Sequence, residues 1–477
     1  MQLLTTDVVV IGAGTAGLNA VREIEQAGRR WLLIENGAYG TTCARVGCMP
    51  SKLLIAAADG AHAVRMSAEF GIAVAAPVVD AAAVFARLRR ERDRFVAGAV
   101  RGTEKLSADR RVRGTARFVA PTRVRVDDNL QIDARAVVIA TGSTPNVPSP
   151  FAAVRDLILT SDDLFELDEL PATLAVIGTG AIGLELGQAL GRLGVAVTFF
   201  SSSATIGPLK DPEMQTAINA SFRRAHTFHL GVEIVTVQKS AGGLTVGWRS
   251  TEGEHRSAEF GAVLVAAGRK PNLGKLNLAA TGLALDDRGR PAWNATTTQC
   301  GDAPIFLAGD ASGHRAILHE AADEGSIAGA NAAAFPAVRP RARRAPLAIV
   351  FSSPQIASLG EQFSKLDAAA IAIGEVSFEN QGRARVQNTN EGKMRLYADR
   401  SCSRLLGAEL FGPEIEHVAH LLAWAVQNEM TVPELLRMPF YHPVIEEGVR
   451  TALRQLARQL QVERDCQRED FASAPGT

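Results

Sequence analysis

Two stretches of this chain repeat one pattern, DVVVIGAGTAGLNA at residues 7–20 and TLAVIGTGAIGLELG at residues 173–187. Each reads as an apolar strand, a glycine turn and a segment with helical apolar spacing, as a buried parallel strand and a helix packed on its sheet require. The glycines are Gly12, Gly14 and Gly17 in the first copy and Gly178, Gly180 and Gly183 in the second. In such a turn the first glycine makes the tight bend and the second lets backbone approach a pyrophosphate. The third lets the helix lie close on the strand, leaving N–H groups aimed at the phosphates. Two copies in this setting imply an α/β chain with two dinucleotide sites.

The copies differ where an adenosine ribose would be read. The strand WLLIE ends at Glu35, whose carboxylate is placed to accept from the ribose hydroxyls. Glu35 lies 23 residues after Gly12, and the same offset from Gly178 falls on Ser201. A serine neither makes the carboxylate contact that favours NAD nor repels the 2′-phosphate of NADP, and the following SSATIGP offers no arginine to pair with that phosphate. The choice between NAD(H) and NADP(H) stays open at this point.

At 477 residues the chain predicts two to four domains, and its 51 acidic and 51 basic side chains give no reason to expect nucleic acid or an anionic membrane as partner. The apolar runs are strand-length, far from the roughly 20 residues of a membrane span. MQLLTTDVVVIG has no secretory pattern, so a cytoplasmic address is expected. The Arg-rich stretch around residues 86–95 reads as a solvated helix face, and AFPAVRPRARRAP as a domain boundary near Arg344 and a linker. Beyond it, strand patterns such as KMRLYAD alternate with helices such as HVAHLLAWAVQ, as in an α+β domain. The tail after Asp465 is polar and reads as frayed.

Five cysteines make no disulfide framework, and only Cys43 and Cys48, in YGTTCARVGCMPSKLL, are close in sequence. Their spacing is not a zinc pattern and no second ligand pair follows, so no metal is expected. Beside a dinucleotide fold in a reducing compartment they read as a dithiol that cycles through a disulfide. Cys300, Cys402 and Cys466 read as unreactive.

CARVGCMPSK resembles the redox motif of the class I pyridine nucleotide-disulfide oxidoreductases, with dihydrolipoamide dehydrogenase the closest in pattern. The likeness runs almost end to end, through both glycine motifs, ATGS at Ala140–Ser143, AGRKPN at Ala267–Asn272, AGD at Ala308–Asp310 and HPVIEE at His442–Glu447. It implies two Rossmann-like domains, for FAD and NAD(P), and a C-terminal α+β dimerisation domain. The expected divisions are 1–150 and 274–344 for FAD, 151–273 for the nicotinamide nucleotide, 345–465 for the interface and 466–477 for the tail.

The resemblance also implies site roles. Cys43 is the interchange thiol and Cys48 the thiol facing the flavin. Lys52, four residues on, points the same way on a helix and pairs with Glu185. His442, oriented by Glu447, is the acid–base pair, supplied by the other subunit of a homodimer with shared active sites. Asp310, with Thr42, Thr141 and Gly142, belongs to the FAD site, whereas Gly268 and Arg269 resemble part of the nicotinamide site. The substrate is a small or protein-bound dithiol or disulfide, with a lipoyl-bearing protein among the partners this allows. The sequence departs from the lipoamide pattern at Ala44, Arg45, Phe440, Tyr441, Val444 and Glu446, around the substrate channel. A transhydrogenase, a quinone reductase or a reductase of another small disulfide is the alternative on the same fold.

Overall fold

The computed structural model describes residues 1–462; the polar tail and Cys466 lie outside the described residues. The chain divides into two compact units, one of Met1–Leu53, Phe85–Asn146 and Gly268–Arg343, the other of Leu54–Val84, Val147–Ala267 and Arg344 onward. The residues 54–84 join the second unit because the long Cys48–Met66 helix is held there by its later turns. Arg192 pairs with Asp59, and Arg65 donates to the Arg192 carbonyl.

In the first unit, five parallel strands run Ile305–Leu307, Ala136–Ile139, Val8–Ile11, Trp31–Glu35 and Arg111–Arg113 across the sheet. Val8–Ile11 is buried throughout, which is why it reads as an unbroken apolar run rather than an alternating one. A smaller four-stranded sheet and the antiparallel pair Ser143–Pro145 with Arg269–Pro271 complete the unit.

The Thr15–Gln26 helix crosses the Leu318–Ala334 helix at very short range. A Cβ on Gly325 would sit 2.2 Å from the Ala16 carbonyl oxygen, and one on Gly329 would sit 2.4 Å from that of Ala20. Two glycines against two alanines let the backbones touch, and the contact fixes the helix whose N-terminus opens the first glycine turn.

The second unit repeats the parallel arrangement in four strands, Thr227–Leu230, Ala196–Ser201, Thr173–Ile177 and Ala262–Val265. It adds a three-stranded antiparallel sheet, and a five-stranded antiparallel sheet covered by the Ile415–Gln427 and Glu447–Leu460 helices. The last sheet is the α+β layer. Its Glu409 accepts from the backbone N–H groups of Lys210 and Asp211, while Asp211 accepts from the Tyr397 hydroxyl at 2.9 Å and pairs with Arg395. These buried carboxylates fasten the antiparallel sheet to the nucleotide-fold half of the same unit.

The Arg-rich stretch lies on the Ala81–Glu104 helix, which buries Phe85, Leu88 and Thr103 and turns most of its arginines outward. The proline- and arginine-rich segment is not a loose linker. Arg339 and Arg341 bond through their backbones to Asn331 and Thr296, and Arg343 reaches a buried acidic pair on the Leu318–Ala334 helix.

Gly325→Val should destabilise the protein by about 3 kcal/mol, because the branched side chain has no space at the helix crossing. The checks are the chemical-denaturation midpoint and slope; an unchanged midpoint contradicts the account.

Candidate active site

Both glycine turns are built alike. Gly12 has φ +109°, and a Cβ there would lie 2.2 Å from the Ala140 carbonyl oxygen; Gly178 has φ +116° and the same relation to Ala266 at 2.3 Å. Neither position accepts an L side chain, on grounds of backbone conformation and of space. A Cβ on Gly17 or Gly183 would meet the carbonyl oxygen of Gly12 or Gly178, so helix and turn are in contact. Around Gly14 and Gly180, by contrast, the space is open, and each is the N-cap of its helix with no side-chain cap. An open, uncapped helix N-terminus behind a glycine is what a pyrophosphate needs.

Around the first turn, the two oxygens of Glu35 accept from Ala13 N–H at 2.8 Å and Gly37 N–H at 2.7 Å. The carboxylate is thereby fixed at the strand end with lone pairs left for ribose hydroxyls. Thr141 is half-buried, and its buried hydroxyl makes no hydrogen bond to any of the described residues. Gly142, at φ +68°, follows it. Asp310 Oδ2 accepts from Ser143 Oγ at 2.7 Å, and Arg269 Nε donates to the same Ser143 Oγ at 2.9 Å. The open glycine cradle and the Thr141 hydroxyl fit FAD, which Glu35 and Asp310 would hold as polar contacts. Thr42 is exposed at the start of the short Thr42–Val46 helix.

Gly268 and Arg269 fall in this first unit, with the guanidinium engaged at Ser143. Two further residues hold the place together: Ser143, and Asn272, which binds the Gly142 carbonyl through its N–H and the Thr141 carbonyl through its side chain. Both stand inside the motifs ATGS and AGRKPN. The signal was there, but their contacts span more than a hundred residues and leave no local pattern.

In the second copy, Ser201 ends its strand as its offset predicts, half-buried, with Oγ accepting from Ser203 N–H at 3.1 Å. The strand end at the matching offset thus presents a neutral hydroxyl. Glu185 is buried on the helix after this turn and accepts from the Phe351 N–H at 2.9 Å.

Cys43 lies on the Thr42–Val46 helix and Cys48 begins the Cys48–Met66 helix, separated by Gly47. Both are thiols. The hydrogen bond between them, aided by burial, pushes the Cys43 thiol well up, while the nearby Lys52 charge acts the other way. Cys48 begins its helix, where the helix N-terminus favours a thiolate. The buried Cys300 thiol is pushed up to about 12 by burial alone and is chemically quiet.

The acid–base candidates are built in the second unit. Glu447 opens the Glu447–Leu460 helix almost fully buried, and its Oε1 lies 3.1 Å from His442 Nδ1. Its Oε2 accepts from Val444 N–H, and Gln381 holds the Val444 carbonyl, so the turn is fixed from both sides. With Nδ1–H donating to the carboxylate, the exposed ring offers Nε2 as its basic nitrogen. Of the departures nearby, Phe440 packs against the core of the antiparallel sheet, whereas Tyr441 is exposed.

Residues 6–325 match the family described as pyridine nucleotide-disulphide oxidoreductase, and residues 347–453 match the dimerisation domain of the same family. Dihydrolipoyl dehydrogenase 3 of Pseudomonas aeruginosa is 32% identical over 472 residues, covering 94% of this chain and 97% of its own. Dihydrolipoyl dehydrogenase 2, mitochondrial, of Arabidopsis thaliana is 30% identical over 461 residues, covering 94% and 89%. Among solved structures, LpdA of Mycobacterium tuberculosis has a TM-score of 0.81 at 24% identity, covering 94% of this chain and 99% of its own. The HOCl-induced flavoprotein disulfide reductase RclA of Escherichia coli, in a Cu(II) complex, has a TM-score of 0.80 at 22%, covering 95% and 99%. These two structures share the fold. On the family matches and the sequence identities, the chain belongs to the pyridine nucleotide-disulphide oxidoreductases and is an FAD-dependent disulfide oxidoreductase of the dihydrolipoamide dehydrogenase type.

Proposed function

We propose that this protein is a cytoplasmic homodimer that moves electron pairs between a dithiol or disulfide substrate, most simply dihydrolipoamide or a lipoyl-bearing protein, and NAD(P). The observation that carries the reading is the thiol pair: Cys43 hydrogen-bonded to Cys48 at the start of a helix, with Lys52 one turn on. The names of the curated relatives support the lipoyl substrate, and the matched dimerisation domain supports the dimer.

Bound FAD supplies the two-electron exchange that joins dithiol chemistry to the nicotinamide. Glu35, Asp310, Thr141 and Gly142 would hold it beside the first glycine turn, and the second turn would hold the nicotinamide nucleotide. When the cysteines are oxidised, a substrate thiolate attacks Cys43. The Cys43–Cys48 bond breaks, Cys48 leaves as a thiolate, and a mixed disulfide with Cys43 forms. His442 Nε2 takes the proton from the second substrate thiol, which attacks the substrate sulfur of the mixed disulfide. Cys43 is released, takes up that proton, and the substrate departs oxidised, its electron pair left on the two cysteines. Glu447 orients the imidazole and stabilises its cation. In the dimer each histidine serves the cysteine pair of the other protomer. The reverse direction uses the same residues.

A neutral Ser201 neither recruits the 2′-hydroxyl through a carboxylate nor repels a 2′-phosphate, so NAD and NADP should both serve. With dihydrolipoamide as donor, the kcat/KM values for the two should agree within about tenfold, and Ser201→Glu should favour NAD by a further factor of about ten or more. Reduction of neither nucleotide, with a flavin that NADH still bleaches, would remove lipoamide as the substrate.

Cys43→Ser should lower disulfide turnover by about a thousandfold or more while leaving NAD(P)H-dependent quinone reduction in place. Equal quinone and disulfide rates in both proteins would favour the quinone-reductase reading. His442→Gln should reduce kcat with dihydrolipoamide by about 10² to 10⁴-fold, with the flavin still reduced by NADH at its normal rate in stopped flow. A slowed NADH half-reaction would contradict the assigned role.

A further inference from the structure

The Gly309–Ser312 turn carries Asp310, and one buried carboxylate lies behind it. Glu324, with no exposed side-chain surface, accepts from the Gly309 N–H at 2.8 Å and from the Ser312 hydroxyl. Its other oxygen lies 3.1 Å from the Arg343 guanidinium, which also binds Glu320. Arg343 is the last residue of the first unit and belongs to the proline- and arginine-rich segment that no step of the chemistry uses. That segment is stitched to the unit along its length. Asn331 bonds both the N–H and the carbonyl of Arg339, Arg341 N–H reaches the Thr296 carbonyl, and Arg343 also donates to the Ala295 carbonyl at 3.2 Å.

A carboxylate buried this deeply needs a partner to remain ionised, and as an anion it is a far stronger acceptor for the turn than as an acid. We infer that Arg343 and Glu324 form a positioning clamp: the arginine keeps Glu324 charged, Glu324 holds both ends of the Asp310 turn, and docking of the Arg-rich segment is thereby coupled to FAD binding. The inference rests on the reading of Asp310 as an FAD contact.

Several other charged groups lie around the clamp and have partners of their own. Glu320, one turn earlier on the same helix, is balanced by Arg315 at 2.8 Å as well as by Arg343. Glu23, on the Thr15–Gln26 helix that packs against this one, stands 3.9 Å from Arg341. Asp310 on the turn itself bonds Ser143. Burial already lifts the Glu324 carboxyl above the usual carboxylate range, against the pull of Arg343. FAD affinity due to the clamp is therefore complete above that titration and falls as pH drops through it. Without Arg343 the titration moves upward, and the loss of affinity moves to higher pH with it.

The test is the FAD dissociation constant of the full-length protein, from flavin fluorescence, between about pH 5.5 and about pH 9. Arg343→Met should bind FAD about tenfold or more weakly at neutral pH, with the ratio to the unaltered protein shrinking toward one at the alkaline end. Arg343→Lys should restore most of the affinity. Glu324→Gln, whose amide cannot titrate, should bind weakly with no clamp-dependent change across the range, and it covers the case in which Arg343→Met fails to fold. A ratio of one throughout, or a loss of the same size at every pH, overturns the clamp. If the unaltered protein binds no FAD, it is the assignment of the flavin site that fails.

Discussion

The closeness of backbone to backbone at the two glycine turns is the constraint on which the rest depends. At Gly12 and Gly178 the chain passes so near the next strand's carbonyl oxygen that no side chain fits, and at Gly17 and Gly183 the helix rests on the turn itself. Space is closed on that side and open on the other, around Gly14 and Gly180, where the uncapped helix ends point outward. A helix that stood further off would still be a helix, but its N–H groups would no longer converge on one point. The crossing of Gly325 and Gly329 over Ala16 and Ala20 extends the same economy of space, holding the first of these helices from behind.

On this scaffold the polar groups are arranged by what is kept neutral and what is kept charged. Cys43 is hydrogen-bonded to Cys48, and that bond together with burial raises the Cys43 thiol. Glu447 is buried and tied to backbone, whereas His442 is exposed, so the histidine is oriented at one nitrogen and available at the other. The buried carboxylates of the second unit, Asp211 and Glu409, are satisfied by backbone N–H groups, a phenol and an arginine. They join two sheets with their oxygens hydrogen-bonded rather than left bare in the interior. Glu324 with Arg343 follows the same rule in the first unit.

Much of this could be read from residue order, because it is local. The glycine spacing, the buried strands, Glu35 at a strand end, Ser201 at the matching offset and the two closely spaced cysteines are all relations over a few tens of residues. Relations of longer span were legible only where the family resemblance supplied them. Ser143 meets Arg269 across 126 residues, and Glu185 meets the Phe351 backbone across 166. Phe440 stands out in sequence as a departure from a family pattern, yet its environment makes it a packing residue of the antiparallel sheet. The arginine-rich segment looked like a boundary, and only its partners, Asn331, Glu320 and Glu324, reveal that it is anchored.

The sequence by itself determined the α/β class, the two nucleotide turns, the family and the cysteine pair, since each of these is set by steric and chemical demands that neighbouring residues meet together. The tertiary structure decided what holds the buried acids, which hydroxyls find no partner among the described residues, and what surrounds each of the two thiols. Those properties come from desolvation and from hydrogen bonds, most of them made between distant parts of the chain, and neither exists until the chain has folded.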